Sequence, residues 1–415
     1  MNLKFGLIAL LISSFLASIV QFNFGKTEIT LERLDTVDGQ YIYYDLYKPK
    51  IASEKNKVPF IAIIPGFQRS KEALSNIAIE LSRRGYVVGL IDPYAQGLSS
   101  SSRSRIAATT QGYGMFALIE HVNESSDFNF INKELLGSTG HSMGGNAAIR
   151  GANYFGKKAD EQNKKSLLHS VYVSGYVLTL RDDVLKDVRS NVGVSYALYD
   201  EGSFRNELKN WDAANMKIAP ESLRTVNSGL KKEDHISEVE LGKYYGDLES
   251  NTLRVIFNEE LLHPFQPYNT EATANQLAYF ETVFGAPIKL DTYDQIWQWK
   301  EFFTLLNMII SFWLLIPLTR TLLKINFFKT LVKPIPEALP VQNRVGKTIF
   351  WSIFFISAGI ACVTFIPLVE VAKTIFPEAS TRQLTWFFPQ RMNNSVMLWA
   401  LLNGSIGILL FFFSY

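Results

Sequence analysis

Ser142 stands in Gly140-His141-Ser142-Met143-Gly144-Gly145, directly after the strand-like run from Glu134 to Thr139 and directly before a helix-like run. A serine flanked at two positions on either side by glycine, in that strand–turn–helix setting, is the pattern of a nucleophile elbow. The turn is so tight that its central residue takes strained backbone angles, and a side chain at either glycine would clash. Such a turn lifts the hydroxyl out of the fold and aims the next backbone N–H, that of Met143, at the same point. Gly145, Ala147 and Ala148 then let the helix pack closely on its sheet. The chemistry implied is acyl transfer. A serine hydroxyl is a poor nucleophile at neutral pH and needs a base to take its proton. The base needs an acid to fix its tautomer and stabilise its charged form. The developing oxyanion needs donors, each worth about 3 kcal/mol.

The elements that must position these groups alternate along residues 28–300. Thr27–Leu34 and Gln40–Tyr47 alternate apolar and polar residues around Val37-Asp38-Gly39, as an antiparallel edge hairpin would. Six apolar runs then fit strands buried on both faces: Pro59–Ile64, Tyr86–Ile91, Leu135–Thr139, Ser170–Val177, Asn191–Leu198 and Thr252–Phe257. Helical stretches fall between them. Lys71–Arg84 sets Leu74, Ile77, Ala78 and Leu81 on one helix face, and Tyr113–Val122 is a second. Strands alternating with helices predict an α/β fold: a mostly parallel sheet with helices on both faces.

This order of elements, with an elbow after the fifth strand, resembles the α/β-hydrolase fold over Thr27 to Gly285. The stretches Gly66-Phe67-Gln68-Arg69-Ser70-Lys71-Glu72, Arg84-Gly85-Tyr86-Val87-Val88 and Asp92-Pro93-Tyr94-Ala95-Gln96-Gly97 look like the dienelactone-hydrolase and acyl-peptidase-like esterase branches. In such folds the acid and then the histidine follow the serine in the chain. His121 and His141 precede Ser142, and His169 opens a strand at the end opposite the active edge. His263 lies just past the last strand and before the helical stretch Glu271–Phe284, where the fold presents its catalytic histidine; His235, in the polar Lys231–His235 stretch, is the alternative. Asp200, in the Tyr199-Asp200-Glu201-Gly202 stretch directly after Asn191–Leu198, takes the acid's place, with Glu201 the alternative. The resemblance also assigns a second oxyanion donor, the N–H of Phe67 on the loop after the third strand. Many relatives carry His-Gly at that turn; Pro65-Gly66 here leaves the backbone donor intact. His141 is expected to pack beside the site rather than to act chemically. The connection from Gly202 to Asn251, with Trp211, Tyr244 and Tyr245, is read as either a pocket rim or a surface helix pair.

Composition narrows the alternatives. Lys and Arg total 41 against 39 Asp and Glu, which leaves no positive excess for nucleic acid. His, Asp and Glu show no metal-like clustering, and neither G-x-G-x-x-G nor a Walker-type loop occurs, so no cofactor is expected. The single cysteine, Cys362, excludes an intrachain disulfide and a four-cysteine zinc site. An aromatic share of 13 % with 30 Phe points to membrane segments.

Four uncharged runs are long enough to cross about 30 Å of hydrocarbon: Phe5–Gly25, Phe302–Thr319, Thr348–Val369 and Met392–Tyr415. Residues 1–25 are expected to be a retained anchor, a cleaved signal being the other reading; residues 26–300 form the hydrolase domain and 301–415 a membrane region. Arg320, Lys324, Lys329, Lys333, Arg344 and Lys347, opposed only by Glu337, place the loop between the second and third spans in the cytoplasm. The next loop, with Lys373, Arg382 and Arg391 against Glu370 and Glu378, is less biased. The hydrolase domain is then extracytoplasmic. Thr321–Lys333 mixes apolar and basic residues as an interfacial helix on anionic lipid would, or as a plain connector. Tyr415 ends the chain inside an apolar stretch. The sequence thus leads to a membrane-anchored serine hydrolase acting on an ester or acyl substrate. A peptidase using the same triad and a non-catalytic receptor or assembly factor are the alternatives.

Overall fold

The computed structural model describes residues 3–202, 205–209, 213–334, 343–377 and 391–414. Trp211, Glu337, Glu378, Arg382 and Tyr415 lie outside the described residues. The chain divides into two compact units. One, Ile12–Ser100 with Ile106–Leu306, holds an eight-stranded sheet: β1 Thr27–Asp35, β2 Tyr41–Pro49, β3 Val58–Ile64, β4 Val87–Ile91, β5 Ile131–His141, β6 Ser170–Ser174, β7 Asn191–Ser195 and β8 Arg254–Phe257. Their order is β1-β2-β4-β3-β5-β6-β7-β8, with β1 and β2 antiparallel and β3 to β8 parallel. This is the α/β-hydrolase architecture.

The strand sequences explain why helices cover both faces. Along β3, Phe60, Ala62 and Ile64 enter one core while Ile61 and Ile63 enter the other; in β4, Val87 and Ile91 oppose Val88 and Leu90. Every residue of both strands is buried. With period-two side chains, that requires packing on both sides. Helix α1 (Leu3–Gln21) opens the chain. After β3 comes α2 (Ser75–Arg83), entered through a 3-10 turn, Lys71–Leu74, so the single helix expected over Lys71–Arg84 is split. Next come α3 (Ala107–Thr110), α4 (Met115–Glu124), α5 (Met143–Gln162), α6 (Asp182–Leu185), α7 (Pro220–Asn227) and α8 (Thr270–Phe284). Leu74, Ile77 and Leu81 at the start of and along α2 share one core with Leu277 and Phe280 of α8, while α4 and α5 supply Leu118, Ile119, Ile149 and Phe155 to the other.

Two expectations need correction. Among the described residues, the connection from 202 to 251 has one α-helix, α7, and a 3-10 turn, Lys232–Asp234, rather than a helix pair. Tyr245 bridges Arg254, the first residue of β8, and Tyr244 meets Thr282 of α8. Both tyrosines therefore sit toward the start of β8, away from the edge where the parallel strands end, and do not rim the site.

The second unit, Met1–Leu11, Ser101–Arg105 and Asn307–Tyr415, is mainly helical. Helix α9 (Trp297–Leu322) runs into it, followed by α10 (Asn326–Lys329), α11 (Arg344–Ile375) and α12 (Arg391–Ser414). Trp399 Nε1 of α12 donates to the Ala361 carbonyl of α11 at 2.8 Å. Helices α1, α9, α11 and α12 are long and apolar enough to cross a membrane. Thr321–Lys333 is not one helix: α9 ends at Leu322, and Ile325 takes extended backbone before the four residues of α10.

Candidate active site

Ser142 sits between β5 and α5 with φ 59° and ψ −122°, a left-handed conformation rare for a residue with a side chain. Its N–H donates to the Ser174 carbonyl of β6 at 2.8 Å, which fixes the turn against the neighbouring strand. The flanking glycines are required by space. A Cβ on Gly144 would lie 1.8 Å from the Ile64 carbonyl oxygen, and one on Gly140 2.5 Å from it. Gly145 is nearly as confined, 2.8 Å from the Ser174 oxygen. Met143 opens α5, so its N–H belongs to the exposed first turn of the helix.

His263 and Asp200 are brought together from loops 63 residues apart. His263 Nδ1 lies 2.8 Å from Asp200 Oδ2, and the Gly202 N–H donates to Asp200 Oδ1 at 2.6 Å. Asp200 is buried while His263 is partly open. The two loops are joined by backbone as well: Leu198 N–H donates to the Glu259 carbonyl and Tyr199 N–H to that of Leu261. With Nδ1 engaged by the carboxylate, Nε2 is the ring nitrogen left for a hydroxyl proton. The His141 and His263 rings lie 4.5 Å apart, which sets the His263 imidazole beside the elbow. Glu201 is exposed, and His235 is exposed in the segment before β8; neither joins this cluster. His169 bonds Ser170 at the start of β6, at the opposite edge.

His141 itself is buried, and burial, then the charges of His263 and Arg69, holds its pKa well below 6.5. It is a neutral packing partner. Among the described residues no group of three or more His, Cys, Asp or Glu is placed to hold a metal ion.

The loop carrying Phe67 borders the serine. A Cβ on Gly66 would stand 3.1 Å from Ser142 Cβ and 3.7 Å from its Oγ. Gln96 holds this loop in place: its Nε2 donates to the carbonyls of Gly66 (3.1 Å) and Arg69 (2.9 Å), and its Oε1 accepts from the Gln68 N–H. Asp92 ties the Phe67 loop to the loop that carries Gln96: its carboxylate accepts the N–H groups of Lys71 (2.8 Å) and Leu98 (3.0 Å). Lys71 Nζ lies 3.4 Å from Asp92 and 3.8 Å from Asp45. Burial alone would lower the Lys71 pKa, but Asp92, Asp45 and Glu72 outweigh it and raise it. Asp45, desolvated more than Lys71 compensates, is pushed up to about 6.

Sequence reasoning assigned no role to Gln96, Asp92 or Lys71, although all three lie in the stretches that carry the family resemblance. Glu259 was missed outright. It is buried beneath the His263 loop, accepts from Ser195 Oγ (2.8 Å), Asn275 Nδ2 (2.9 Å) and Gln266 Nε2 (3.1 Å), and has a pKa raised by burial against those hydrogen bonds.

Comparison with known proteins agrees with this architecture. Residues 14–201 match the model of a family described as PETase: PET hydrolase-like, a stretch that contains Phe67, Ser142 and Asp200 and stops short of His263. Over those residues the chain is similar to PETase-like α/β-hydrolases. No curated protein matches. Among solved structures, an esterase of Pyrococcus furiosus is 11 % identical, with a TM-score of 0.43, covering 62 % of this chain and 93 % of that one. A dienelactone hydrolase of Anabaena variabilis is 14 % identical, with a TM-score of 0.40, covering 62 % and 99 %. An α/β hydrolase of a Penicillium species is 12 % identical, with a TM-score of 0.41 and the same coverage. The fold rests on the sheet order and the elbow rather than on these distant likenesses.

Proposed function

We propose that this chain is a membrane-anchored serine hydrolase that cleaves a carboxylic ester, or transfers its acyl group, from the extracytoplasmic side. The observation that carries the reading is the 2.8 Å bond from His263 to the buried Asp200, made beside the strained Ser142 elbow. Ser142 Oγ attacks the ester carbonyl carbon as His263 Nε2 takes its proton, and Asp200 stabilises the imidazolium. The backbone N–H groups of Met143 and Phe67 receive the oxyanion. Collapse of the tetrahedral intermediate expels the alcohol, which takes the proton from His263. Water or another alcohol then resolves the acyl-enzyme by the same steps in reverse.

The family match over residues 14–201 supports hydrolase chemistry, and the four apolar helices support anchoring. The test is turnover of a matched p-nitrophenyl ester and anilide by the purified full chain. Ser142→Ala should lower ester turnover by about 10⁴-fold or more, and ester should be preferred over anilide. Equal turnover by wild type and Ser142→Ala overturns the reading; preference for the anilide moves it to a peptidase or amidase.

A further inference from the structure

The hydrogen bonds of the sheet-bearing unit fix the direction in which its apolar helices leave it. Helix α2 follows β3, so it begins at the edge where the parallel strands end and where Ser142 lies, and it runs to the opposite edge at Arg83. The segment after α8 is fastened at that opposite end: Ile288 N–H donates to the Arg84 carbonyl, Arg84 Nη2 to the Asp291 carbonyl (2.6 Å) and Arg83 Nη2 to Asp294 Oδ1 (2.9 Å). From there α9 climbs back antiparallel to α2. Trp297 N–H meets Glu80 Oε1 at 3.0 Å in mid-helix, and Lys300 Nζ meets Ser75 Oγ, at the first residue of α2, at 3.0 Å. Gln298 Nε2 meets Thr270 Oγ1, at the first residue of α8, which also starts on the catalytic edge. Past Lys300 the helix runs beyond the start of α2 with Phe302 and Leu305 exposed. Helix α1 takes the same course. Gln21 bonds the hydroxyl of Tyr47, whose strand partner is Val88 near the start of β4, while Ser13 Oγ donates to the Phe303 carbonyl at 3.0 Å.

Both helices therefore pass out of this unit at the edge that carries the candidate site. That edge is also apolar. Phe67, Leu98, Tyr199, Leu262 and Phe265, on the loops after β3, β4, β7 and β8, are 44–59 % exposed. Large apolar side chains gathered on the loops of one edge mark a contact surface, and here the surface is continuous in direction with two helices of lipophilic composition. We propose that the catalytic edge rests on the lipid surface and that the substrates are esters of amphiphiles held in that surface. This rests on the serine-hydrolase reading for its chemistry. The helix directions and the apolar rim argue for a lipid surface over a soluble partner, because the same edge that presents the rim releases the helices.

The test uses the full chain in phosphatidylcholine vesicles. With Cys362→Ala as background, an environment-sensitive fluorophore is placed at Leu98→Cys, at Leu262→Cys, or at Lys165→Cys, an exposed position on the opposite edge. Quenching by lipids brominated near the headgroup should be several-fold, on the order of threefold, stronger at 98 and 262 than at 165, as for groups seated at the headgroup–acyl boundary. The chain with Leu98, Leu262 and Lys165 intact should release fatty acid from a diacylglycerol dispersed in the same vesicles in a Ser142-dependent manner. Equal quenching at the three positions, with Ser142-dependent turnover of soluble p-nitrophenyl butyrate retained, overturns the inference and leaves the hydrolase reading standing. Loss of Ser142 dependence for every ester overturns both.

Discussion

The Gln96 side chain spends its three hydrogen bonds on the backbone of the loop that borders Ser142. In the proposed mechanism it is a positioning residue for the Phe67 N–H. Gln96→Leu should lower kcat by about tenfold to a hundredfold, less than outright loss of an oxyanion donor, while KM shifts by less than about threefold. An unchanged kcat in steady-state assays would remove Gln96 from the account. His141 gives a pH prediction. Its pKa is held well below 6.5 in the folded chain, so the unfolded chain binds a proton that the folded one refuses. The resulting stability is complete above about pH 6.5 and is lost progressively as the pH falls below it. Between about pH 7.5 and about pH 5, the Tm of His141→Gln should fall less steeply than that of wild type; parallel slopes would contradict a neutral buried His141. At this scale the sequence was most informative where a residue's role is local. The elbow announces itself within six positions. Gln96 and Glu259 do not, because Gln96 reaches back 27 positions to Arg69, Glu259 joins Ser195, 64 positions earlier, to Gln266 and Asn275, and a lone polar residue leaves no periodic trace.

Glu80 is the residue on which two elements depend. Its carboxylate is fully buried in α2 and holds Arg83 at 2.7 Å, Arg84 at 3.1 Å and the N–H groups of Ile296 and Trp297 at the start of α9. Removing the charge leaves a buried guanidinium with only carbonyl partners. Glu80→Gln should therefore destabilise the sheet-bearing unit by about 3 kcal/mol or more, read as a lowered Tm of the full chain in detergent. A change within about 0.5 kcal/mol, the range of ordinary surface substitutions, would show that the ion pair does not hold α9 to the sheet. All eight strands were legible as apolar or alternating runs. Ser170–Val177 and Asn191–Leu198 proved shorter because the chain turns away after Ser174 at Gly175, φ 64°, and after Ser195 toward the Asp200 loop. The course of α9 along α2 was not legible. It is set by side chains of Glu80 and Ser75 meeting residues more than 200 positions later.

For the molecule as a whole, the charge bias around the apolar helices sets the expected topology. Six cations against one acid lie between the second and third spans, which the positive-inside rule assigns to the cytoplasm. Protease added outside intact cells should then cut within residues 26–300 and leave a C-terminal membrane fragment; full protection would reverse the orientation. The anchor and the hydrolase meet in one claim, that a serine at the sheet's catalytic edge is chemically activated by His263 and Asp200. Covalent capture addresses it most directly. Membranes holding the full chain, treated with a fluorophosphonate and analysed by peptide mass mapping, should carry the adduct on Ser142, with labelling lost in Ser142→Ala and strongly slowed in His263→Ala. Folded chain that stays unlabelled, or labelling that survives Ser142→Ala, would contradict the account.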